Sequence, residues 1–113
     1  MVDVAVLGST GSIGTQALEV VATEPDRFRV SSLSAHGSVE AVAAQAAEVR
    51  PDVVILTDER RAGDLRRLLA PGVGLEVGAD ALEAAAAAGD VVINGVVGFA
   101  GLGVTLATLN AGK

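Results

Sequence analysis

The chain has 113 residues, half of them hydrophobic, with two phenylalanines as its only aromatic residues, no cysteine and a net charge of −6. These values support one domain with an aliphatic core, and they exclude disulfides, a thiol nucleophile and a thiolate metal site. The negative charge and the lack of aromatic stacking residues argue against a nucleic-acid or anionic-membrane surface.

No targeting or membrane-spanning segment is predicted from the sequence. Asp3 precedes the first apolar run without a basic stretch, so no signal peptide is predicted and a cytoplasmic protein is expected. The segment Val91–Leu109 is apolar enough to mimic a membrane span. However, Asn94, two threonines and four glycines within it favour a buried strand, a loop and a helix.

The first elements of the chain form a strand, a glycine loop and a helix. The apolar run Val4–Leu7 predicts the strand, and three glycines spaced three apart follow it: Gly8, Gly11 and Gly14. A helical pattern comes next, and it predicts one inward face with Ile13, Ala17, Val20 and Val21. This context is the one that a dinucleotide-binding loop requires.

Each position of the glycine loop suits a bound pyrophosphate. The phosphates would lie on the free N–H groups of the first helical turn, where the helix dipole is positive. Gly8 permits a tight turn, Gly11 lets the backbone approach the phosphates, and Gly14 lets the helix pack close to the strand. Hydroxyl donors for the phosphate oxygens are predicted at Ser9, Thr10 and Ser12. The alternative is a glycine turn with a purely structural role.

The rest of the chain alternates between strand and helix patterns. Further strands are predicted at Phe28–Ala35, Val53–Leu56, Leu75–Val77 and Val91–Asn94. The second helix ends at Pro51, and its predicted buried residues are Val39, Val42, Ala43, Ala46 and Val49. The third helix is capped by Thr57-Asp58 and stopped by Pro71-Gly72. Its predicted buried residues are Ala62, Leu65, Leu68 and Leu69. Near-continuous apolar strands between amphipathic helices are typical of a parallel sheet covered on both faces. The predicted fold class is therefore α/β, a doubly wound, Rossmann-like sheet.

Two helices are predicted in the second half of the chain. Asp80 with Glu83 three residues later predicts a capping box that opens the alanine-rich helix Asp80–Ala88. A loop and a last helix are predicted within Gly98–Ala111, with Leu102, Leu106 and Leu109 facing inward.

The end of the second predicted strand bears on the choice of cofactor. A carboxylate about 20 residues beyond the glycine loop would accept hydrogen bonds from the ribose hydroxyls of NAD. The segment Leu33–Ser38 has no carboxylate, so nothing in it would repel a 2′-phosphate, and NADP is favoured over NAD. Ser34, His36, Ser38 and the N–H of Gly37 could hydrogen-bond that phosphate, although the segment has no Arg or Lys. A loop histidine without a ligand is the alternative for His36.

No catalytic or metal-binding constellation is predicted. His36 is the only histidine, which excludes a metal site built on histidines. Asp58-Glu59 are interpreted as solvated charges at the start of a helix. Arg60-Arg61 and Arg66-Arg67 are interpreted as a solvated helix face, with an anion site as the alternative.

The motifs resemble those of the 1-deoxy-D-xylulose 5-phosphate reductoisomerase family. The similar segments are Gly8–Gly14, Pro25-Asp26-Arg27-Phe28, Asn94–Gly98, Gly101-Leu102, Thr105-Leu106-Ala107 and Ala111-Gly112-Lys113. The resemblance implies an NADPH-dependent oxidoreductase of non-mevalonate isoprene biosynthesis. That enzyme rearranges 1-deoxy-D-xylulose 5-phosphate and reduces the product to 2-C-methyl-D-erythritol 4-phosphate with a divalent metal, Mg or Mn. By resemblance, Thr10, Gly11, Ser12 and Ile13 would bind the pyrophosphate, and His36, Gly37 and Ser38 the adenosine end.

Two departures from the family are visible. Family members usually have Gly, then Lys or Arg, then Asn where this chain has His36-Gly37-Ser38, and a proline where it has Val104. The family also continues beyond the position of Lys113 with another strand, metal carboxylates and a substrate-covering loop. Residues 1–113 are therefore expected to form an NADPH-binding Rossmann-like domain that is C-terminally incomplete, truncated before its last strand and lacking the catalytic domain.

The resemblance also implies the partners of the full-length parent. That parent is expected to take a small phosphosugar substrate, to bind neither nucleic acid nor membrane, and to form a homodimer. Two alternatives remain open: the cofactor domain of a semialdehyde dehydrogenase-like enzyme, and a non-enzymatic NADP-sensing module.

Overall fold

The computed structural model describes residues 2–95, in which strands and helices alternate. The strands β1 to β5 are Val2–Leu7, Phe28–Ala35, Val53–Leu56, Gly74–Val77 and Val91–Asn94. The helices α1 to α4 are Ser12–Ala22, Val39–Val49, Ala62–Leu68 and Ala79–Ala88, and one 3-10 turn, Glu59–Arg61, precedes α3. The loop and helix predicted within Gly98–Ala111 lie outside the described residues. Among residues 2–95, no helix is long and apolar enough to span a bilayer.

The strands form one parallel sheet in the order β4-β3-β2-β1-β5. The chain moves outward from β1 through β2 and β3 to β4, and then returns to the other side of β1 with β5. This reversal is the topological switch of doubly wound folds, and it opens a crevice beyond the carboxyl ends of β1 and β5. The predicted α/β, Rossmann-like class is confirmed.

Helices cover both faces of the sheet, as predicted. On one face, α1, α2 and α3 pack on alternate strand residues such as Val6 and Leu33. On the other face, α4 packs through Leu82 and Ala86 on Ala5, Leu7 and Ile55. The strand side chains alternate between these two cores, which explains why apolar residues occur at both odd and even positions of β1 and β3.

Local backbone chemistry sets two of the helix boundaries. Arg50 ends α2 in the left-handed region, with φ of 49°, directly before Pro51. The predicted capping box at Asp80 is wrong, because α4 begins at Ala79 and no side chain caps its N-terminus. Gly78 occupies the N-cap position with φ of 102°, a conformation that glycine adopts without strain.

Three side chains predicted to face inward are exposed instead. Ile13 and Val20 on α1 are 60% and 61% exposed, and Leu68 at the end of α3 is 52% exposed. The inward stripe of α1 consists of Gly14, Ala17, Leu18 and Val21. Because Gly14 has to lie against the end of β1, the helix is rotated so that Ile13 and Val20 point away from the sheet.

The first turn of α1 lies against the backbone that follows β1. A Cβ added to Gly14 would overlap the carbonyl oxygen of Gly8 and lie 2.5 Å from the Cα of Ser9. Both obstacles are backbone atoms, so no side-chain rotation could relieve the overlap. Gly14 is therefore required by packing.

An ion-pair network joins the amino ends of three strands. The guanidinium of Arg29 on β2 donates to Asp3 on β1 at 3.0 Å and to Asp52, just before β3, at 2.8 Å. The hydrogen bond from Arg29 holds the pKa of Asp52 below its ordinary value. The network fixes the amino edge of the sheet, opposite the crevice.

We expect Gly14→Ala to destabilise the fold by about 1–3 kcal/mol, the usual cost of overpacking a tight contact. Gly63→Ala is the matched control, because a Cβ at Gly63 in α3 would meet nothing within 4 Å. This control should be neutral or stabilising by up to about 1 kcal/mol through helix propensity. Urea unfolding of both variants measures the difference, and equal stability of the two would contradict the close packing of α1.

We expect the stabilising effect of Asp52 to depend on pH. Its folded-state pKa lies below its ordinary value, so its contribution is present above about pH 4 and is lost as the pH falls through the folded pKa. The difference in unfolding free energy between wild type and Asp52→Asn should therefore shrink between neutral and acid pH. In an Arg29→Leu background the same substitution should show no such pH dependence, and a persistent dependence would rule out the ion pair as its cause.

Candidate functional site

The candidate site lies at the carboxyl edge of the sheet, where the loop between β1 and α1 meets the end of β5. Gly8 opens this loop with φ of 72°, which only glycine adopts readily. The N–H of Gly95, directly after β5, donates to the carbonyl of Leu7 at 2.7 Å. A Cβ on Gly95 would lie 3.2 Å from the carbonyl oxygen of Gly8, so the backbones of the two elements are almost in contact.

Hydrogen bonds to β2 and α2 fix the conformation of this loop. The N–H of Gly8 donates to the hydroxyl of Ser34 at 2.8 Å, and the N–H of Ser9 donates to the Ser34 carbonyl at 2.9 Å. On α2, the Gln45 amide accepts from the Ser9 hydroxyl at 2.7 Å and donates to the Ser9 carbonyl at 2.8 Å. The loop is thereby held on two sides before any ligand binds.

Two serines predicted to bind phosphate are buried instead. Ser9 is fully buried and Ser34 is 2% exposed, and both hydroxyls are engaged in the anchoring bonds. The prediction that they donate to phosphate oxygens is therefore wrong. Their hydroxyl groups stabilise the loop instead, because a buried hydroxyl requires a hydrogen-bond partner inside the protein.

The residues predicted to hold the pyrophosphate lie where the loop becomes helix. Gly11, Ser12 and Ile13 are exposed and Thr10 is half-buried. The N–H of Gly11 donates to the Gly8 carbonyl at 3.2 Å, whereas those of Thr10, Ser12 and Ile13 have no hydrogen bond within residues 2–95. The first turn of α1 contains no acidic residue. Free N–H groups at the positive end of a helix without a nearby carboxylate can bind an anion.

The residues predicted for the adenosine end form the turn between β2 and α2. His36 and Ser38 are exposed and Gly37 is half-buried. This turn lies at the same edge of the sheet as the glycine loop, since β1 and β2 are parallel neighbours. The structure thus brings the two predicted groups to one edge.

The neighbouring turn after β3 adds residues that sequence reasoning did not assign to the site. Thr57 Oγ1 lies 2.8 Å from His36 Nδ1, and Arg61 donates to the Gly37 carbonyl at 3.1 Å. Asp58 caps the 3-10 turn by accepting from the N–H of Arg60, as its predicted capping role requires. The hydrogen bond from Arg60 also lowers the pKa of Asp58. The available signal was topological: the ends of β2 and β3 are adjacent if the strands are parallel neighbours.

Gln45 is the other residue that the sequence did not reveal. It lies on α2 beside the apolar face that contains Val42, Ala46 and Val49. A polar residue at the border of an apolar helix face indicates a hydrogen-bond partner in the interior. The partner itself, Ser9, is 36 residues away and could not be identified without the fold.

A second recess in the structure has the wrong chemistry for a dinucleotide phosphate. It is a groove of about 810 Å³ between α1 and α2, over β2. Its walls include Leu18, Val21, Phe28 and Val49. Its charged lining residues are Glu19, Glu48 and Arg29, and Arg29 is already paired with Asp3 and Asp52. No group of three or more His, Cys, Asp or Glu side chains within residues 2–95 could hold a metal ion.

Comparison with known proteins agrees with the geometry. The family model for 1-deoxy-D-xylulose 5-phosphate reductoisomerase matches residues 4–113. Curated relatives of that name are 43% identical in Laribacter hongkongensis, 44% in Gloeobacter violaceus and 46% in Moorella thermoacetica, over 97%, 100% and 98% of this chain. The chain spans only 29–30% of the length of these relatives.

Solved structures show the same fold. The reductoisomerase from Zymomonas mobilis in complex with NADPH superimposes with a TM-score of 0.92 at 36% identity, covering 98% of this chain and 30% of that one. A second reductoisomerase, in complex with NADPH, fosmidomycin and magnesium, gives 0.90 at 30% identity, covering 100% of this chain and 29% of that one. The comparisons do not favour the semialdehyde dehydrogenase-like alternative or the NADP-sensing module. The resemblance found in the sequence is confirmed, and the chain belongs to the 1-deoxy-D-xylulose 5-phosphate reductoisomerase family.

Proposed function

We propose that this chain binds NADPH at the carboxyl edge of its sheet, with the pyrophosphate on the first turn of α1. The observation that carries the proposal is the set of N–H groups at Thr10, Ser12 and Ile13 that have no hydrogen-bond partner among residues 2–95, in a loop that is already anchored. The NADPH complex of the similar Zymomonas mobilis enzyme supports the choice of ligand.

The glycine pattern fits such a ligand. A Cβ at Gly11 would meet only the Gly8 carbonyl oxygen, at an ordinary 3.6 Å, and Gly11 has φ of −80° and ψ of 177°, which any residue can adopt. Neither packing nor backbone conformation therefore requires glycine at position 11. A glycine is useful there if the surface must stay open to a ligand that approaches the backbone, as a pyrophosphate does.

We further propose that the whole protein catalyses the rearrangement and NADPH-dependent reduction of 1-deoxy-D-xylulose 5-phosphate. NADPH, when bound, supplies the hydride for such a reduction, and the residues described here bind and orient it. The phosphosugar and the divalent metal would be bound by residues outside 2–95. The similar enzyme complex that contains fosmidomycin and magnesium supports this assignment. We also propose that the whole protein is a cytoplasmic homodimer in which residues 1–113 form the dinucleotide-binding part.

We expect the protein to bind NADPH more tightly than NADH, which calorimetric titration with the two dinucleotides measures.

We expect Gly11→Val to abolish NADPH binding while the fold survives. A branched side chain would occupy the space of the pyrophosphate and mask N–H donors. Losing two charge-assisted hydrogen bonds, worth about 1.5–3 kcal/mol each, weakens binding about a hundredfold or more. Calorimetric titration measures the affinities, and circular dichroism checks the fold.

Gly63→Val is the matched control for this substitution, since a side chain at Gly63 meets nothing within 4 Å. It should bind NADPH as the wild type does. Unchanged affinity in a folded Gly11→Val variant would show that this loop does not contact the phosphates.

We expect Gln45→Leu to weaken NADPH binding and to reduce stability by about 1–3 kcal/mol, the cost of leaving buried polar groups of Ser9 with fewer partners. The loop would lose its anchor on α2, so its N–H groups would no longer be fixed in advance. Gln16→Leu, the same change at an exposed position of α1, is the control. Titration and urea unfolding of both variants test the role of the anchor, and similar affinities would refute it.

A further inference from the structure

The turn that is expected to meet the adenosine end of the cofactor has no cation of fixed charge. Its residues, His36, Gly37 and Ser38, offer an imidazole, a hydroxyl and backbone N–H groups. A 2′-phosphate carries a charge of about −1.5 to −2 at neutral pH, and such groups are usually bound by Arg or Lys. A cation that recognises this phosphate has to come from a neighbouring element.

The nearest element along the sheet is the turn after β3, and it is tied closely to the turn after β2. The N–H groups of Thr57 and Asp58 donate to the carbonyls of Ala35 and His36, each at 3.0 Å. The contacts of Thr57 with the imidazole of His36 and of Arg61 with the Gly37 carbonyl add two side-chain bonds. The two turns therefore form one surface.

The carboxylate of Asp58 lies close to the turn after β2. A Cβ on Gly37 would lie 3.4 Å from Oδ2 of Asp58, and the Asp58 side chain is only 13% exposed. Asp58 is ionised at neutral pH, and the hydrogen bond from Arg60 lowers its pKa further. An uncompensated carboxylate here would repel a 2′-phosphate, so a phosphate can bind nearby only if a cation neutralises Asp58.

That cation is Arg60. Its Nε donates to Oδ1 of Asp58 at 3.3 Å, and the side chain is otherwise 89% exposed. Within residues 2–95 the two terminal nitrogens of this guanidinium make no hydrogen bond or ion pair, so they can bind an anion in bidentate fashion.

The guanidinium of Arg61, unlike that of Arg60, is not free to bind an anion. It donates to the Gly37 carbonyl and lies 3.5 Å from Glu40 and 3.6 Å from Asp64. Its role is to hold the two turns together, and two carboxylates already neutralise it.

We propose that Arg60, positioned by Asp58, binds the 2′-phosphate of NADPH and is the residue that makes this chain prefer NADPH to NADH. The inference rests on the proposed cofactor site and adds the residue that determines its specificity. The arginine pair was interpreted from sequence as a solvated helix face; for Arg60, the anion-binding alternative is the one that the structure favours.

The test compares wild type, Arg60→Ala and Arg60→Lys, each titrated with NADPH and NADH. Arg60→Ala should weaken NADPH binding about tenfold or more, as expected for a lost charge-assisted hydrogen bond, and leave NADH within about twofold of wild type. Arg60→Lys should retain part of the preference, since it keeps the charge and loses the bidentate geometry. The cap of the 3-10 turn uses the backbone N–H of Arg60 and survives both substitutions.

Arg66→Ala, at an exposed arginine on α3, is the control and should change neither affinity. Adenosine 2′,5′-bisphosphate and adenosine 5′-monophosphate serve as probes that lack the nicotinamide. Only the bisphosphate should lose affinity in Arg60→Ala.

Equal losses for NADPH and NADH in Arg60→Ala, or no loss for either, would overturn the assignment of Arg60. A wild type that binds NADH as tightly as NADPH would overturn it as well. If the wild type binds neither dinucleotide, the proposed function itself fails, and the specificity assignment fails with it.

Discussion

The close approach of α1 to the end of β1 is the constraint on which the candidate site depends. Gly14 lies so near the backbone of Gly8 and Ser9 that not even a methyl group fits between them. This contact fixes the position and the rotation of the helix, and it directs the N–H groups of the first turn toward the crevice beyond β1 and β5. The rotation also explains why Ile13 and Val20 are exposed.

The interactions around this contact hold the loop in place without using the atoms that a ligand needs. Ser34 and Gln45 bind Gly8 and Ser9, which are the residues nearest the strand. The N–H groups of Ser12 and Ile13, farther along, remain free among the described residues. A binding site organised in this way loses little conformational entropy when its ligand arrives, because the loop is ordered beforehand.

The sequence predicted the strands and the glycine loop well because both follow from local patterns. The predicted strands Phe28–Ala35, Val53–Leu56 and Val91–Asn94 match the structure residue for residue. The errors arose where distant residues decide the outcome. Ser9 and Ser34 were assigned to a phosphate because nothing local reveals that Ser9 bonds the Ser34 carbonyl and Gln45, or that the Ser34 hydroxyl accepts from Gly8. The charge balance between Asp58 and Arg60 near Gly37 likewise requires knowledge of which strands are neighbours.

The position of β1 between β2 and β5 has a consequence for the order in which the protein folds. β2 follows β1 by about one helix and can pair with it early, whereas β5 pairs with β1 only after a loop of more than 80 residues has closed, as the bond between Asp3 and Asp90 illustrates. Closing so long a loop is slow and entropically costly. One wall of the crevice, Gly95, comes from the end of β5, so it is added by the last of these pairings. During synthesis on the ribosome, the dinucleotide crevice is therefore assembled only after residue 95 has left the exit tunnel.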